Sequence, residues 1–313
     1  MRSVLFVPVV LAMAGAASAQ TAAPKPQETV TVLGQRPTSR EMVETVIRQF
    51  VEQHAALDRK SGLIVREGKT GLCAATVGLP DAFDSFVTAR VTDAAKSVGA
   101  PVQEPGRCSA NVEILFTDDP QTLVTELSDK THGIILGYHF AHEKGSIIHV
   151  WRPIQAWYIT GTRGDPHTQN SSIQPDGTAS GVHTKLKIDT AYGPLPNTGT
   201  GSHLRPANSS EIANALIVVD LGKVGGQEIG PIADYAAMLA LSQPETLDGC
   251  NAMPSILDLM SSSCAREKPK ALTDSDMAYL KALYAADITT SGALGQENVA
   301  KDMDKNLGTT QKP

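Results

Sequence analysis

The sequence predicts an α+β fold in which helices pack against a mixed β-sheet. Two observations predict it. Short apolar runs with strand character, such as Asn111–Phe116 and Ala213–Asp220, alternate with longer segments whose apolar residues recur every three or four positions. The order of the segments is helix, strand, helix, strand, helix, strand pair, long loop, strand and two helices, and no segment repeats another.

The segment Met1–Ala19 has the pattern of a secretory signal peptide. Arg2 supplies the positive start, Val4–Ala14 is the apolar segment, and Ala17-Ser18-Ala19 forms a cleavage site before Gln20. The apolar segment is too short to span a bilayer as a retained helix. We therefore predict a soluble protein that is exported to the periplasm or the medium.

Composition and charge narrow the classes of function. The 313-residue chain has a net charge of -6 with scattered Lys and Arg, which argues against a nucleic-acid partner. Residues 20–37 are predicted to be a disordered linker, and residues 38–287 a single α+β domain interrupted by a long loop at 163–206. A flexible polar tail is predicted at 288–313. A loop as long as 163–206 without periodicity is either functional or disordered.

Three helices are predicted in the first half of the mature chain, and each begins at a residue suited to an N-cap. Thr38 and Glu41 form a capping box for the first helix, while Asp81 and Asp119 cap the second and third. The residues expected to face the core are Met42, Val43, Ile47, Phe50, Val51 and Leu57, then Phe83, Phe86, Val87, Val91 and Ala94 or Ala95, then Leu123, Val124 and Leu127.

The segments between these helices contain further predicted strands and loops. Ser61–Val65 has strand character, whereas Cys73 and Val77 are expected to lie in a loop. Further along, His149–Trp151 and Ile154–Thr160 are predicted to pair as a hairpin. The hairpin would bring the sheet to the start of the long loop.

Four cysteines, Cys73, Cys108, Cys250 and Cys264, occur in this chain. An even number of cysteines in an oxidising compartment predicts two disulfides. Of the three possible connectivities we favour Cys73–Cys108 and Cys250–Cys264, because each joins residues close in sequence and within one half of the chain. The chain has no C-x-x-C motif, which argues against a metal or redox site at these cysteines.

The stretch from Glu211 to Tyr284 carries most of the functional information. A buried strand at Ala213–Asp220 precedes a Gly-rich turn and an apolar helix that opens with Gly230-Pro231. A Pro-Ser-Ile turn and a capped helix follow. One face of the apolar helix is formed at i, i+3, i+4 and i+7 by Ile232, Tyr235, Ala236 and Leu239.

This order of parts, with the segments ALIVVDLGKV, IADYAAMLAL, MPSILDLM and LTDSDMAYLKALY, resembles a family of secreted alphaproteobacterial proteins with a degenerate zincin-like C-terminal half. The resemblance extends upstream through GLCAATVGLPDAF, CSANVEILFTDDPQ and RPIQAWYITGT, and so covers most of the mature chain. It implies a metallopeptidase-like scaffold in this protein.

In a zincin the apolar helix carries His-Glu-x-x-His, in which two histidines bind zinc and the glutamate acts on the zinc-bound water. Here Ala233 and Ala237 stand at the histidine positions and Asp234 at the glutamate position. Because an alanine methyl group cannot ligate a metal, we predict no metal, no other cofactor and no catalytic residue in this helix. The face around Ala233 and Ala237 is expected to be packed, with Met238 and Leu239 in the core.

Other candidate chemistry is sparse. The segment from His139 to Glu143 contains His139 and His142 at a spacing that can bind metal, although a solvated connection between strands explains it more simply. Gly222–Gly226 follows a strand but lacks phosphate-loop spacing, and no G-x-S-x-G motif is present. Asp220 and Asp234 are a candidate acid–base pair.

These observations favour an exported, non-catalytic protein that uses a zincin-like scaffold to bind a protein, peptide or envelope component. The alternative is a periplasmic hydrolase with a relocated active site formed by Asp234, His139 and His142. The alanines at 233 and 237 distinguish the two hypotheses, since they remove the ligands that the metallopeptidase chemistry needs.

Overall fold

The computed structural model describes residues 39–58, 62–66, 71–104, 107–130, 133–137, 144–164, 208–287 and 292–310. Within these residues the helices are α1 (Ser39–His54), α2 (Asp81–Ser97), α3 (Pro120–Lys130), α4 (Lys144–Ile147), α5 (Ile229–Leu241), α6 (Asp274–Ala285) and α7 (Gly292–Thr310). The strands are β1 (Leu57–Asp58), β2 (Gly62–Val65), β3 (Ala74–Val77), β4 (Val112–Thr117), β5 (Ile154–Gly164) and β6 (Asn208–Asp220). Short 3₁₀ helices lie at Ile134–Leu136 and Ile256–Met260. The predicted signal peptide and linker, most of the loop at 163–206, and His139 and His142 lie outside the described residues.

β6 is the centre of the sheet. β5 runs antiparallel to it along one edge, paired with residues Asn208–Val219. The other edge of β6 pairs in parallel with β2 at Ser210 and Glu211 and with β4 along Ala215–Asp220. β3 extends the sheet beyond β4 in parallel orientation, and β1 extends it beyond β2 in antiparallel orientation. The mixed sheet that the sequence predicts is therefore confirmed.

Both faces of β6 are covered, which explains its nearly continuous apolar sequence. Ala215, Ile217 and Val219 point into a large core that also contains residues of α1, α2, α5, α6 and α7. Leu216 and Val218 point the other way, into a smaller core under α3 and the first 3₁₀ helix. The alternation follows from the two-residue side-chain period of a strand.

The N-terminal helices form close to the predicted positions. Asp119 caps α3 by accepting a hydrogen bond from the N–H of Thr122 at 3.1 Å, whereas Thr38 lies outside the described residues. Four of the residues predicted to face the core are instead exposed. In each helix, the face that is buried is narrower than the face formed by its apolar residues. The four exposed residues are Met42 (57%), Val43 (51%), Phe83 (49%) and Phe86 (41%).

The predicted hairpin between His149–Trp151 and Ile154–Thr160 is wrong. Only the second segment is a strand, and it pairs with β6. The first segment is held by glutamine side chains: Gln121 accepts from the N–H of Val150 at 3.0 Å, and Gln155 accepts from the N–H of Trp151 at 3.3 Å. Side-chain acceptors thus replace the strand partner that these main-chain groups would otherwise need.

Residues 73–77, predicted to be a loop, contain the edge strand β3. Its sequence Ala-Ala-Thr-Val is short and has little apolar alternation, so it gives a weak strand signal. The strand ends at Gly78, which has a φ of 108°. A Cβ atom at Gly78 would lie 2.1 Å from the carbonyl oxygen of Phe116, so this turn requires glycine.

A helix occupies most of the segment that the sequence predicts to be a flexible tail. α7 packs against α1 and α6 and buries Val299, Ala300 and Met303. Positions i, i+1 and i+4 of a helix lie on one side, so a few apolar residues among many polar ones are enough to dock it. The packed domain therefore extends beyond residue 287.

Candidate functional site

The helix α5 is buried from Pro231 to Leu241. Ala233 and Ala237 have no exposed surface, and neither has Met238. α2 packs along this helix, and the second 3₁₀ helix contacts it as well. The face is packed as expected, because alanine side chains let neighbouring elements approach closely.

Asp234 is buried on α5 with both carboxylate oxygens bonded; it is only 3% exposed. Arg90 of α2 donates from Nε to Oδ1 at 2.6 Å and from Nη2 to Oδ2 at 2.8 Å. The N–H of Leu272, just before α6, donates to Oδ2 at 3.0 Å. The hydrogen bond to Asp234 also raises the pKa of Arg90. A bidentate guanidinium fixes the carboxylate geometrically, so Asp234 ties α5 to α2 and to the start of α6.

Asp220, the other member of the candidate acid–base pair, has different partners. It accepts a hydrogen bond from the N–H of Lys223 at 3.2 Å and pairs with the ammonium group of the same residue at 2.9 Å. These contacts close the Gly-rich turn after β6. Each carboxylate is therefore engaged with its own cation, and the pair has no shared hydrogen bond among the described residues.

Tyr235 lines a surface pocket of about 270 Å³. Its side chain is only 1% exposed, yet its hydroxyl makes no hydrogen bond with any residue that the structure describes. By contrast, the hydroxyls of Tyr158 and Tyr284 donate to main-chain carbonyl groups of α5 at 2.9 and 2.8 Å. A tyrosine hydroxyl without a protein partner can hydrogen-bond to water or to a ligand.

The protonation state of Tyr235 suits this role. Burial, the largest influence, raises the pKa of its hydroxyl far above the usual range, while the charge of Arg152 lowers it and that of Asp248 raises it. The hydroxyl therefore stays protonated at any physiological pH, and it can both donate and accept a hydrogen bond.

Arg152 and Asp248 form one wall of the pocket. Nη2 of Arg152 donates to both carboxylate oxygens of Asp248 at 2.9 Å. The guanidinium group also lies 5.6 Å from the ring centre of Trp151, a side chain that is 65% exposed. This wall thus presents two opposite charges that neutralise each other, beside an aromatic ring at the rim.

A loop closed by a disulfide also lines the pocket, through Gly249 and Ser261–Ser263. Cys250 and Cys264 are bonded to each other, and Gly249 beside them has a φ of 90°. The hydroxyl of Ser261 donates to the carbonyl oxygen of Gly249 at 2.6 Å, and Ser262 is exposed next to it. The disulfide closes this loop covalently and limits the conformations that it can adopt in the unfolded chain.

Both predicted disulfides are present. Cys73 is bonded to Cys108, and Cys250 to Cys264, and the structure contains no free cysteine. One group of three potential metal ligands lies close together in the described part of the chain, namely Cys250, Asp258 and Cys264. Because its cysteines are already bonded to each other, the group has no thiolate and is not a metal centre.

A second set of buried polar residues has a structural role. Ser255 caps the second 3₁₀ helix, and its hydroxyl donates to Oδ1 of Asp276 at 2.7 Å. Burial raises the pKa of Asp276 to about 6, although hydrogen bonds with Ser255 and Thr273 act in the opposite direction. Burial also lowers the pKa of His54 to about 4. Ser255, Asp276 and His54 have no exposed surface, so a substrate cannot reach them.

Sequence reasoning missed the residues of the pocket. The sequence pattern predicts only that Tyr235 belongs to an apolar helix face and that Arg152 lies between two strands. It does not predict that Ser261–Ser263 lie near these two residues, since the three segments are far apart in the chain. The closest signal in the sequence is the adjacent pair Trp151-Arg152, an aromatic and a charged residue beside a proline.

Comparison of the chain with protein-family models, curated proteins and solved structures finds no match. None of the helices in the described residues has the length and apolar character needed to cross a membrane. The function is therefore inferred from the geometry of the chain's own residues.

Proposed function

We propose that this chain is an exported, non-catalytic binding protein that uses a zincin-like scaffold to hold a protein, peptide or envelope component. The packing of α5 carries the proposal. Ala233 and Ala237 offer neither ligand atoms nor open surface, and Asp234 uses both oxygens to bind Arg90 and Leu272. The face of the helix around Ala233 and Ala237 therefore supports the fold and offers no surface to a substrate.

The order of elements supports the scaffold, and the cysteines support export. β6, the Gly-rich turn, α5, the second 3₁₀ helix and α6 follow one another in the order that the resemblance to zincins implies. Disulfides form and persist in oxidising compartments, and this chain has two of them in addition to the signal-peptide pattern of Met1–Ala19.

The binding site that we assign is the pocket with Tyr235 at its floor. It is a concave polar site, and one of the residues that line it is Tyr235, whose hydroxyl has no partner among the described residues. Convergent polar groups in a concavity are the usual mark of a small-ligand site.

The hydrolase alternative requires Asp234 to act as an acid or base. To do so it would have to leave a bidentate ion pair within the protein interior, which would leave a buried charge unpaired. No contact of Asp234 favours this alternative. The part assigned to His139 and His142 stays a prediction, because both lie outside the described residues.

The proposal is tested with protein purified from the periplasm. We expect substoichiometric zinc by elemental analysis and no hydrolysis of casein or of a mixed fluorogenic peptide library. Stoichiometric zinc, or a turnover that Asp234→Ala abolishes in a protein that still folds, would overturn the non-catalytic assignment.

Binding is measured in the same preparation through the fluorescence of the exposed Trp151. Titration with peptide, lipid and glycan fractions of the envelope is expected to give a saturable change with at least one of them. Trp151→Phe provides the blank, since the other tryptophan, Trp157, is buried and remote from solvent. A flat titration with all three fractions contradicts the proposed pocket.

A further inference from the structure

We infer that the pocket lined by Tyr235, Arg152 and Asp248 binds one ring of a neutral saccharide, with Trp151, the aromatic neighbour of Arg152, as a stacking platform beside it. The inference rests on the proposed binding function and names the ligand class. It combines three independent features of the pocket: the balance of its charges, the free hydrogen-bonding groups on its walls, and the aromatic ring beside it.

The charge balance favours an uncharged ligand. The ionisable pocket residues apart from the tyrosine are Arg152 and Asp248, and each already neutralises the other. An anionic ligand that bound Arg152 would be repelled by Asp248, and a cationic ligand that bound Asp248 would be repelled by Arg152. A neutral ligand meets neither penalty and leaves the ion pair intact.

The hydrogen-bonding groups favour a ligand that is rich in hydroxyls. Only Nη2 of Arg152 is bonded among the described residues, so N–H groups on Nη1 and Nε remain available as donors. The oxygens of Asp248 retain lone pairs, and the hydroxyl of Tyr235 donates and accepts. Ser262, which also lines the pocket, adds an exposed hydroxyl. Sugar hydroxyls, which also donate and accept, match this mixed set.

The aromatic ring at the rim favours a ring-shaped ligand with an apolar face. Trp151 is 65% exposed, and the guanidinium group of Arg152 lies over the ring at 5.6 Å. A single exposed apolar residue is common on protein surfaces, but this one adjoins a polar pocket. A saccharide presents C–H groups on its ring faces and hydroxyls at its edges. It can therefore cover the indole while its hydroxyls enter the pocket.

The dimensions agree with one saccharide ring. Pockets for drug-sized ligands range from about 300 to 1,000 Å³, and this pocket of about 270 Å³ lies just below that range. The disulfide between Cys250 and Cys264 keeps one wall in place before the ligand arrives.

The test is calorimetric titration of the full-length mature protein with defined oligomers. N-acetylchitotetraose and cellotetraose serve as neutral probes, tetragalacturonate as an anionic probe and tetra-alanine as a peptide probe. We expect at least one neutral probe to bind, with weakening of at least fivefold in Tyr235→Phe and at least tenfold in Trp151→Ala. Phe83→Ala, an aromatic of comparable exposure on α2, is the matched control and should bind like the wild type.

The outcomes separate the saccharide inference from the proposed function. Failure of both neutral probes to bind, preference for tetragalacturonate, or unchanged binding in both pocket variants overturns the inference. Binding of tetra-alanine that depends on Tyr235 and Trp151 also overturns it, but leaves the binding function standing. Cleavage of any probe refutes the non-catalytic function instead. Thermal melts confirm that each variant is folded, so a loss of binding is attributed to the pocket.

Discussion

Asp234 and Tyr235 are consecutive residues of one buried helix, yet their polar atoms have opposite surroundings. Both oxygens of Asp234 are bonded to groups from two other elements. The hydroxyl of Tyr235 has no partner among the described residues and faces a pocket. The first arrangement stabilises the fold, because a paired buried charge holds its neighbours in place. The second leaves a hydrogen-bonding capacity that only a ligand or water can satisfy.

This contrast shows why the position of a residue in a motif does not decide its role. The sequence pattern predicts a catalytic position for Asp234 only by resemblance, and in the structure its carboxylate is bonded to Arg90. Tyr235 occupies a place with no assigned chemistry in that motif, and it is the residue of α5 with a polar atom left over. The contacts made by each side chain therefore decide between structure and function.

The largest expected effect comes from breaking the Asp234 clamp. Arg90→Ala leaves a buried carboxylate without its cation, so we expect a loss of roughly 3–5 kcal/mol in the free energy of unfolding. Asp234→Ala should cost less, because Arg90 is partly exposed (37%) and can turn towards water. Denaturant unfolding of both variants and of the double variant measures the coupling.

Arg107→Ala is the matched control for this clamp. Arg107 pairs with Glu104 at the surface, where both side chains are at least 70% exposed, and such pairs contribute about 0–1 kcal/mol. If Arg90→Ala destabilises the protein no more than Arg107→Ala does, Asp234 is not the structural anchor that its contacts indicate.

The two disulfides should separate stability from the integrity of the pocket. On the chain-entropy relation, loss of Cys73–Cys108, which spans 35 residues, should cost about 4 kcal/mol, and loss of Cys250–Cys264, which spans 14, about 3 kcal/mol. Only the second bond closes a wall of the pocket. Two double Cys→Ser variants, one for each disulfide, are compared by denaturant unfolding and by Trp151 fluorescence titration. Both variants should lose stability, but only the Cys250/Cys264 variant should lose binding. Equal binding losses in both would remove the link between this loop and the pocket.

Glu113 contrasts with Asp234, because it is a buried carboxylate with no cation bonded to it among the described residues. Glu113 on β4 has no exposed surface, and neither oxygen makes a hydrogen bond of normal geometry in the described structure. Burial raises its pKa to about 7, and the nearby Asn214 lowers it by less. The unfolded chain therefore releases this proton near pH 4.5 and the native chain near pH 7, so this group reduces stability progressively between these values.

Glu113→Gln should remove that pH dependence. Relative to the wild type, the variant should gain about 2 kcal/mol between pH 5 and pH 8, measured by denaturant unfolding at each pH. Glu126→Gln, at an exposed carboxylate on α3, controls for the loss of one charge. A constant difference across this pH range would show that Glu113 is paired after all.

The fold was predictable where the local sequence pattern is strong. The prediction failed where contacts with neighbouring elements determine the secondary structure. β4, β6 and α5 have long apolar patterns with one period, and they form where the sequence predicts. β3 and α7 have short or sparse patterns, so their formation depends on the sheet edge and on α1, neither of which a local window contains.

The packed face of α5 was predictable from the apolar pattern around Ala233 and Ala237. The pocket was not predictable, because Arg152, Tyr235, Asp248 and Ser262 come from separate segments that only the folded chain brings together. Both disulfides were predictable, since short sequence separations left one favoured pairing.

The packing of the helix face around Ala237 can be tested directly by substitution. Ala237 has no exposed surface, so Ala237→His must displace its neighbours, and we expect a loss of roughly 1–3 kcal/mol. Ala82→His, at an exposed position of α2, is the control and should be nearly neutral. Melts with and without added zinc complete the test. A stable Ala237→His variant that zinc stabilises further would show that the helix faces an open cleft.

The smallest expected effect is the most direct test of the contrast between Asp234 and Tyr235. A tyrosine hydroxyl that is hydrogen-bonded in the native state contributes about 1 kcal/mol, and its removal leaves an acceptor unpaired. Tyr158→Phe and Tyr284→Phe should therefore each cost about 1 kcal/mol or more, since their hydroxyls bond to carbonyl groups of α5. Tyr235→Phe loses no protein hydrogen bond among the described residues, so its unfolding free energy should change by less than about 0.5 kcal/mol. All three variants remove one oxygen atom beside the same helix, which makes them a matched set for denaturant unfolding. A cost for Tyr235→Phe equal to that of the other two would mean that its hydroxyl is already bonded in the native protein and is not free to bind a ligand.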